Sequence, residues 1–287
     1  MVNNQVKMNR LQNGYNEDLE KLEIKLLLDG LYAWYGYDYR NYAYSSIRRR
    51  IWHRIHAEKL TSITGLLERI LHDSGCLRRL MADFSINVTE MFRDPLFFLA
   101  FREQVVPMLR TYPSIRIWLA GCSTGEEVYS MAILLKEEGI YDKTKIYATD
   151  INADVLKVAK SGKYPLNQMR KHTNNYFQAG GKKAFSDYYS VDGDRVSLNK
   201  ELRNNVVFAQ HNLVTDKSFN EFHVILCRNV LIYFDKTLQE KVHRLFYDSL
   251  GLLGVLGLGG KEALSYTDIA SYYEEIGYNQ KLYKKVK

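Results

Sequence analysis

The sequence predicts an α/β domain with a small antiparallel β insertion, preceded by a small all-helical domain. Residues 17 to 83 have helical periodicity without strand-like alternation, which favours helices alone. From Ile115 onward, short apolar runs alternate with amphipathic helical patterns, as expected for βαβ units around a parallel sheet. That alternation stops near Asp192-Gly193, a dipeptide that favours a tight hairpin turn. The predicted domains are residues 1–83 and 84–287, with a β-hairpin insertion at about 165–205.

Two apolar stripes define the predicted helical domain. They are Leu19, Leu22 and Leu26 in a first helix, and Ile47, Ile51 and Ile55 in a second. Opposite the isoleucines we place Arg49, Arg50, His53 and Arg54, a positive face suited to an acidic helical partner. Basic runs are also common on solvated helix faces that bind nothing, and the sequence leaves both interpretations open.

The second domain enters its first helix at Asp94-Pro95, which is typical of an N-cap followed by proline at the first helical position. Later helices are expected up to Glu138, up to Gly162, from Lys236 to Leu250, and from Thr267 to a stop at Gly277. Strands are expected at Ile115 to Ala120, Ile146 to Thr149, Val206 to Ala209, Val224 to Cys227, Leu252 to Leu258 and Tyr278 to Val286. The insertion would contribute Phe185 to Val191 and Arg195 to Leu198.

Composition restricts the partners and the compartment. The 287 residues have a formal net charge of +7 and a pI near 9.0, which favours an anionic partner: nucleic acid, an acidic membrane surface or an acidic protein. The three cysteines form no CxxC pair, which argues against a disulfide framework and a structural zinc site. No run resembles a signal peptide or a membrane span. We expect a cytoplasmic protein without membrane insertion and without a bound metal.

A glycine turn follows the first predicted strand. Gly121 and Gly125 lie between this strand and the next helix, where a ligand can approach the backbone. Asp150 ends the following strand, and a carboxylate there can accept both hydroxyls of a ribose. Two glycines can also serve only to make a tight turn, but their combination with Asp150 favours a nucleotide site.

Two carboxylates at the start of the following helix affect the choice of cofactor. Glu126 and Glu127 would repel the pyrophosphate that a dinucleotide fold places at a helix amino terminus. They suit S-adenosylmethionine, which carries a sulfonium and an ammonium group and no phosphate. Acidic residues in a first turn also stabilise the helix dipole without any ligand.

Five motifs occur in order along the chain. They are Asn87 to Asp94 (NVTEMFRD), Ser123 to Glu127 (STGEE), Thr149 to Ile151 (TDI), Asn212-Leu213, and Cys227 to Phe234 (CRNVLIYF). Together they resemble the CheR-type chemotaxis receptor methyltransferases. The resemblance covers nearly the whole chain and includes Ser45 to Arg50 (SSIRRR) in the helical domain.

This resemblance implies a Rossmann-like, S-adenosylmethionine-dependent methyltransferase. Its substrate would be glutamate side chains on the cytoplasmic helices of a chemoreceptor or similar signalling protein, and its second product S-adenosylhomocysteine. We expect a monomer that binds no nucleic acid. With the glycine turn, the cofactor-binding residues would be Asn87, Thr89, Arg93, Gly121, Glu127, Asp150, Asn212, Leu213, Asn229 and Val230. The predicted catalytic residues are Arg93 and Tyr233, and the predicted receptor-docking residues are Arg49, Arg50 and Arg54.

The chemistry needs no strong general base, because the substrate carboxylate is already ionised and positioning supplies most of the rate. Arg93 is expected to orient the substrate carboxylate or to guard the cofactor's carboxyl end, and Tyr233 to line the methyl path. Outside this motif, an arginine is most often a surface charge, and a tyrosine in an apolar run most often belongs to the core.

The sequence departs from the family pattern at two places. Leu119 occupies the position where methyltransferases usually carry an acid, and in the family Glu127 can serve the cofactor's ammonium group instead. Gly259-Gly260-Lys261-Glu262 stands where many relatives read Gly-His-Ser-Glu, which leaves the role of that loop open.

Two other functions compete with this prediction. A nucleic-acid methyltransferase would suit the positive charge, but the chain has neither a Pro-Pro-aromatic loop nor a Pro-Cys nucleophile. A non-catalytic adaptor that binds the cofactor is the second alternative.

Overall fold

A computed structural model describes residues 17–84, 89–264, 267–277 and 279–287, and the chain divides into two units, residues 1–86 and 87–287. The first unit contains four described helices: α1 (Glu17–Tyr35), α2 (Tyr44–Ala57), α3 (Ile63–His72) and α4 (Ser74–Phe84). No helix in the described ranges combines the length and apolarity needed to span a bilayer.

Helix α1 has two apolar stripes, and the predicted one is not the buried one. Leu19, Leu22 and Leu26 are about half exposed, at 51%, 52% and 47%. The core instead takes the stripe of Ile24, Leu27, Leu28 and Leu31. The buried stripe spans two full turns at i, i+3, i+4 and i+7, which is the wider apolar face.

Helix α2 buries its isoleucines as predicted, but it also buries two of the three predicted docking arginines. Arg50 and Arg54 are only 5% and 9% exposed, because positions three and seven after Ile47 lie on the isoleucine face. The Arg50 guanidinium donates to the Phe84 carbonyl at 2.5 Å, and Arg54 pairs with Asp83 at 2.7 Å. The predicted exposed basic face is therefore wrong for both residues, since they anchor α4.

The second unit is built on a mixed sheet of seven described strands in the order β6-β2-β1-β7-β8-β10-β9. The first five strands of this order run parallel, and β10 and β9 are antiparallel to their neighbours. The strands are β1 (Ile115–Ala120), β2 (Thr144–Asp150), β6 (Val206–Gln210), β7 (Phe222–Cys227), β8 (Leu250–Leu258), β9 (Tyr273–Glu275) and β10 (Leu282–Lys285). The other helices are α5 (Pro95–Ala100), α6 (Val106–Arg110), α7 (Glu126–Glu137), α8 (Ala153–Ser161), α9 (Met169–Gln178) and α10 (Lys236–Ser249), with a π-helical turn at Phe101–Val105 joining α5 to α6.

The helix predicted from Thr267 is wrong. The chain there forms a short 3₁₀ turn, Ala270–Tyr272, and then β9. Residues Tyr273 to Glu275 pair with β10, so sheet pairing prevails over the helical spacing of the apolar residues. Tyr278, where a strand was expected to start, lies outside the described residues.

The insertion forms a separate antiparallel sheet in the order β3-β5-β4. The hairpin strands are β4 (Tyr189–Asp192) and β5 (Arg195–Leu198), while β3 (Lys163–Pro165) was not predicted. Gly193 turns the chain between the hairpin strands with a φ of 60°, as the Asp192-Gly193 dipeptide predicted. Phe185–Tyr188 is a 3₁₀ turn instead of a strand, because its Phe185 and Tyr188 side chains enter the core.

A buried carboxylate joins this insertion to helix α7. Glu137 accepts hydrogen bonds from the hydroxyls of Tyr176 and Tyr188, at 2.5 and 2.9 Å. Arg102 pairs with the same carboxylate at 2.5 Å, and its own side chain is 6% exposed. The insertion is therefore fixed to the core by charge-assisted hydrogen bonds.

The burial of two histidines should make the protein less stable in acid. Burial lowers the pKa of His172 and of His243 to about 4, from an ordinary value of 6.5. The unfolded chain therefore binds protons more tightly, so stability is full above about pH 6.5 and falls as the pH drops toward 4. Each histidine is expected to account for about 2 kcal/mol of unfolding free energy lost by pH 5.

Urea denaturation between pH 7.5 and 5 would measure this loss. A His243→Leu variant should show a shallower pH dependence than the wild type, whereas His56→Gln, at an exposed position of α2, should not. Equal slopes for wild type and His243→Leu would contradict the assignment.

Candidate functional site

Six of the ten predicted cofactor residues lie at the carboxyl ends of four parallel strands that are neighbours in the order β6, β2, β1 and β7. The chain runs outward from β1 through β2 to β6 and then returns to β7 on the other side of β1. Strand order therefore reverses between β1 and β7, and ligands of open α/β sheets bind at such a switch point. The residues at this edge are Gly121 after β1, Asp150 at the end of β2, Asn212 and Leu213 after β6, and Asn229 and Val230 after β7.

The glycine turn brings the backbone of β1 against the loop after β7. Gly121 has a φ of 76°, and a Cβ atom placed on it would lie 2.5 Å from Cγ2 of Val230. Gly125 has a φ of 94°, and a Cβ there would lie 2.8 Å from the Cβ of Ala159. Both positions need glycine for their left-handed conformation and because the turn packs closely against Val230 and Ala159.

Asp150 is held in place by backbone amides on either side. Its Oδ2 accepts from the Ser123 amide and its Oδ1 from the Asn152 amide, both at 2.9 Å. Burial raises the pKa of this carboxyl, while the amide hydrogen bonds favour its ionised form. A carboxylate has about four acceptor positions, so Asp150 retains acceptor capacity for a ribose hydroxyl beside its backbone amides.

Glu127 is paired with an arginine that the sequence analysis did not single out. The Arg228 guanidinium donates to Oε2 of Glu127 at 2.7 Å, to Oδ2 of Asp94 at 2.8 Å and to the Arg93 carbonyl at 3.0 Å. The Arg228 side chain is 1% exposed and lies 4.0 Å above the Phe97 ring. Arg228 thus connects the start of α7 with the loop that carries Arg93.

Asp94 accordingly has a different role from the predicted one. It stands at the N-cap position of α5, but its side chain makes no capping hydrogen bond and serves Arg228 instead. Asp94 and Phe92 have left-handed φ values of 55° and 51°, so two strained residues flank Arg93. The Phe92 amide donates to the Ser130 hydroxyl at 2.8 Å, which helps hold this loop.

Glu262 gives the unassigned glycine loop a definite role. Its carboxylate is buried and accepts from the amides of Gly259, Asn229, Val230 and Leu231, at distances between 2.6 and 2.9 Å. Burial raises the pKa of this carboxyl, and the four amides oppose that shift. Glu262 therefore shapes the Asn229-Val230 loop, which includes a left-handed Asn229 with a φ of 61°.

The other predicted residues lie nearby in different settings. Asn212 is half-buried, and its Oδ1 accepts from the Val214 amide at 2.9 Å, while Leu213 is 9% exposed. Thr89 and Arg93 are half-buried and line one cleft. Tyr233 is half-buried in the 3₁₀ turn Leu231–Tyr233, so it is not a core residue. Asn87 lies outside the described residues.

The thiols and acids of this edge do not form a nucleophile or a metal centre. Burial raises the pKa of the Cys122 and Cys227 thiols, which disfavours the reactive thiolate. Within the ranges that the structure describes, no group of three or more histidine, cysteine or acidic residues could hold a metal.

Arg228 and Glu262 were not predicted as site residues because their hydrogen-bond partners are distant from them in sequence. Arg228 lies 101 positions from Glu127, and Glu262 lies 33 positions from Asn229. The available signal was an arginine directly after Val224 to Cys227, four apolar and buried strand residues, because a charge at the end of a buried strand needs a partner.

A parallel sheet with this switch point, a glycine turn and an aspartate at the end of the next strand is the framework of a nucleotide-type cofactor site, and the two acids at the start of α7 favour a cofactor without phosphate, as in S-adenosylmethionine-dependent methyltransferases. The family models described as "CheR methyltransferase, SAM binding domain" and "CheR methyltransferase, all-alpha domain" match residues 87–278 and 22–85. The chain belongs to the CheR methyltransferase family. It is an S-adenosylmethionine-dependent enzyme, which confirms the predicted fold class and cofactor.

Relatives extend over most of the chain. The "Putative methyltransferase Cher3" of Pseudomonas putida is 47% identical over 264 residues, which cover 92% of this chain and 97% of that protein. The "Chemotaxis protein methyltransferase" of Listeria innocua is 32% identical over 80% of this chain and 85% of its own. The protein of the same description from Escherichia coli is 31% identical over 71% of this chain and 70% of its own.

Proposed function

We propose that this enzyme transfers a methyl group from S-adenosylmethionine to glutamate side chains of a chemoreceptor-type signalling protein, forming methyl esters. The observation that carries the proposal is the Arg228 cluster. One buried guanidinium holds Glu127, at the cofactor edge, and the backbone of Arg93, the cation suited to a substrate carboxylate. This shared cation supports assigning the cofactor contact of Glu127 and the substrate contact of Arg93 to one site.

The residues present fit the cofactor. The Gly121 turn brings the backbone at the end of β1 against the Val230 loop, and beside it Asp150 offers an acceptor for the ribose hydroxyls. Glu127 offers a carboxylate for the ammonium group of the cofactor. The remaining contacts at this edge of the sheet would come from Asn212, Leu213, Asn229 and Val230. The cofactor, when bound, supplies a methyl group on a positively charged sulfur. Thr89 and Asn87 remain predicted contacts.

The protein's contribution to the chemistry is positioning. A glutamate carboxylate is ionised at neutral pH, so one of its oxygens can attack the methyl carbon as the bond from that carbon to sulfur breaks. Arg93 would orient the carboxylate through charge-assisted hydrogen bonds, and Tyr233 would line the methyl path. No proton has to be removed from the nucleophile.

Removing the ribose acceptor should weaken cofactor binding. Asp150→Ala is expected to lower S-adenosylmethionine affinity by about 1.5–3 kcal/mol, because a charge-assisted hydrogen bond is lost. Calorimetric titration measures this change. Asp154→Ala, a variant of an exposed carboxylate one turn away, should bind normally. Unchanged affinity in a folded Asp150→Ala protein would remove Asp150 from the ribose site.

Removing the substrate-orienting cation should stop turnover. Arg93→Ala is expected to lower kcat by at least about a hundredfold, because the carboxylate loses its orienting partner. Initial rates of methyl transfer measure this loss, and Arg244→Ala, at a surface ion pair with Asp268, serves as the control. Near-normal rates for Arg93→Ala would show that Arg93 is an ordinary surface charge without a role in turnover.

The partner and its docking site are also proposals. Helix α2 retains Arg49 as an exposed cation, and that residue is our remaining docking candidate after the burial of Arg50 and Arg54. We propose cytoplasmic helices of a receptor as the substrate, a cytoplasmic location and a monomeric enzyme.

Incubation with labelled S-adenosylmethionine and membranes from the same cell tests the proposed function. The expected product is receptor-sized protein whose label is released by mild base, as a methyl ester requires. Base-stable label in RNA would identify a nucleic-acid methyltransferase. Cofactor binding without transfer to any membrane protein would identify an adaptor.

A further inference from the structure

A cleft of about 540 Å³ lies between the loop that carries Arg93 and the amino-terminal end of helix α9. The loop contributes Thr89, Glu90 and Arg93, and the chain around the start of α9 contributes Asn167, Gln168, Lys171 and His172. Thr89 and Arg93 already have proposed roles. The four residues around the start of α9 have none, although they form more than half of the lining.

The start of α9 carries positive charge where helices usually carry negative charge. Its first turn contains no acidic residue and includes Lys171. The free amides of a helix amino terminus add partial positive charge, so a lysine at this position needs a nearby anion, and Glu90 supplies one. With Arg93 on the facing loop, two cations face the same cleft.

His172 is the second, independent sign of a ligand. Its side chain is 98% buried, since only 2% of the residue is exposed, and its Nδ1 has no hydrogen-bond partner among the described residues. A buried polar atom without a partner is destabilising. Because His172 is among the residues that line the cleft, this unpartnered imidazole lies beside the space that a ligand would occupy.

One carboxylate of the protein, that of Glu90, already pairs with a lysine of the cleft. Lys171 pairs with Glu90 across the cleft, with side chains 69% and 23% exposed. The Lys171 ammonium is accessible from solvent and has three donors, so it can also donate to a carboxylate of another molecule. The chemistry that fits the cleft is therefore that of a carboxylate.

We infer that this cleft binds an acidic side chain of the protein substrate that neighbours the methylated glutamate, with Lys171 and His172 as specificity-determining residues. The inference rests on the proposed function and deepens it. A carboxylate could come from the substrate or from the cofactor's own amino-acid end. We assign the substrate, because Lys171 is largely exposed and therefore reachable by another protein.

Two helical peptides test the inference with the full-length enzyme. Each contains one target glutamate, and they differ only in a glutamate or a glutamine one helical turn away. The wild type should prefer the peptide with the second glutamate by about tenfold in kcat/KM, the effect of one charge-assisted hydrogen bond. Lys171→Met should reduce the preference to less than about twofold. Arg170→Met, at an exposed neighbour outside the cleft, should preserve it.

Two further variants sharpen the test. Glu90→Gln removes the internal carboxylate and should increase the preference for the acidic peptide. His172→Gln keeps a hydrogen-bonding side chain and should retain part of the preference for the acidic peptide. A preference equal in wild type and Lys171→Met would overturn the inference.

Two other measurements separate the possible sources of the carboxylate and the possible failures. If Lys171→Met weakens S-adenosylmethionine binding and leaves the peptide preference intact, the cleft serves the cofactor and the inference is wrong. Fluorescence anisotropy with labelled peptides measures binding without turnover. If neither peptides nor receptor membranes are methylated, the proposed function fails. In that case a difference in peptide affinity that depends on Lys171 would still support an acidic-peptide cleft. Equal affinities of the wild type and Lys171→Met for the two peptides would overturn the cleft as well.

Discussion

Glu262→Ala is expected to destabilise the methyltransferase unit by about 3–5 kcal/mol and to abolish measurable S-adenosylmethionine binding. The substitution removes the acceptor of five backbone amides, four of them at 2.6 to 2.9 Å and that of Ile232 at 3.4 Å, and unsatisfied buried amides are costly. The Asn229-Val230 loop, which closes one side of the Gly121 turn, would then lose its shape. Urea denaturation and calorimetric titration measure the two effects.

Two control variants distinguish the role of Glu262 from a general effect of losing an acid. Glu262→Gln keeps the volume and one acceptor oxygen, so it should have an intermediate effect. Glu240→Ala, at an exposed position of α10, should behave as the wild type. Normal cofactor affinity in Glu262→Ala would show that the loop keeps its form without this carboxylate.

Arg228→Met is expected to cost about 2–3 kcal/mol of stability and to lower kcat/KM by more than about a hundredfold. Methionine fills a similar volume, so the loss comes from the contacts with Glu127, Asp94 and the Arg93 carbonyl. The stability loss is moderate because the partly exposed carboxylates left behind can be hydrated. Chemical denaturation and steady-state kinetics provide the measurements.

Arg228→Lys separates the charge from its geometry. A lysine keeps the cation but cannot span three acceptors in a fixed plane, so stability should recover more than activity. Arg244→Met, which breaks a surface ion pair, should leave both unchanged. If Arg228→Met changes stability and leaves kcat and KM intact, Arg228 has no positioning role.

Local patterns in the sequence were sufficient for most of the sheet. The run Ile115 to Ala120 is β1 with the predicted ends, and Asp150 ends β2, because buried parallel strands appear as continuous apolar runs. The helical stripe of Ile47, Ile51 and Ile55 was also correct. These features depend on neighbouring residues alone.

Features that depend on distant residues could not be predicted. The choice between two leucine stripes on α1 depends on which face packs better against the other helices. Arg50 and Arg54 were placed outside because arginine is usually exposed, yet carbonyl and carboxylate partners on α4 allow their burial. Arg228 bridges residues 101 and 134 positions away, and nothing near it in the chain indicates those partners.

The left-handed residues on either side of Arg93 have a consequence for the energetics of each catalytic cycle. Phe92 and Asp94 each cost about 1–2 kcal/mol in backbone strain, which the Ser130 and Arg228 contacts offset in the folded protein. The loop is therefore ordered once, during folding, and its entropy is not lost again whenever a substrate arrives. Glycine would relieve the backbone strain at either position, but at residue 92 it would remove a fully buried ring and at residue 94 the carboxylate that pairs with Arg228. The side chains that carry the strain are therefore the same ones that fix the loop of Arg93.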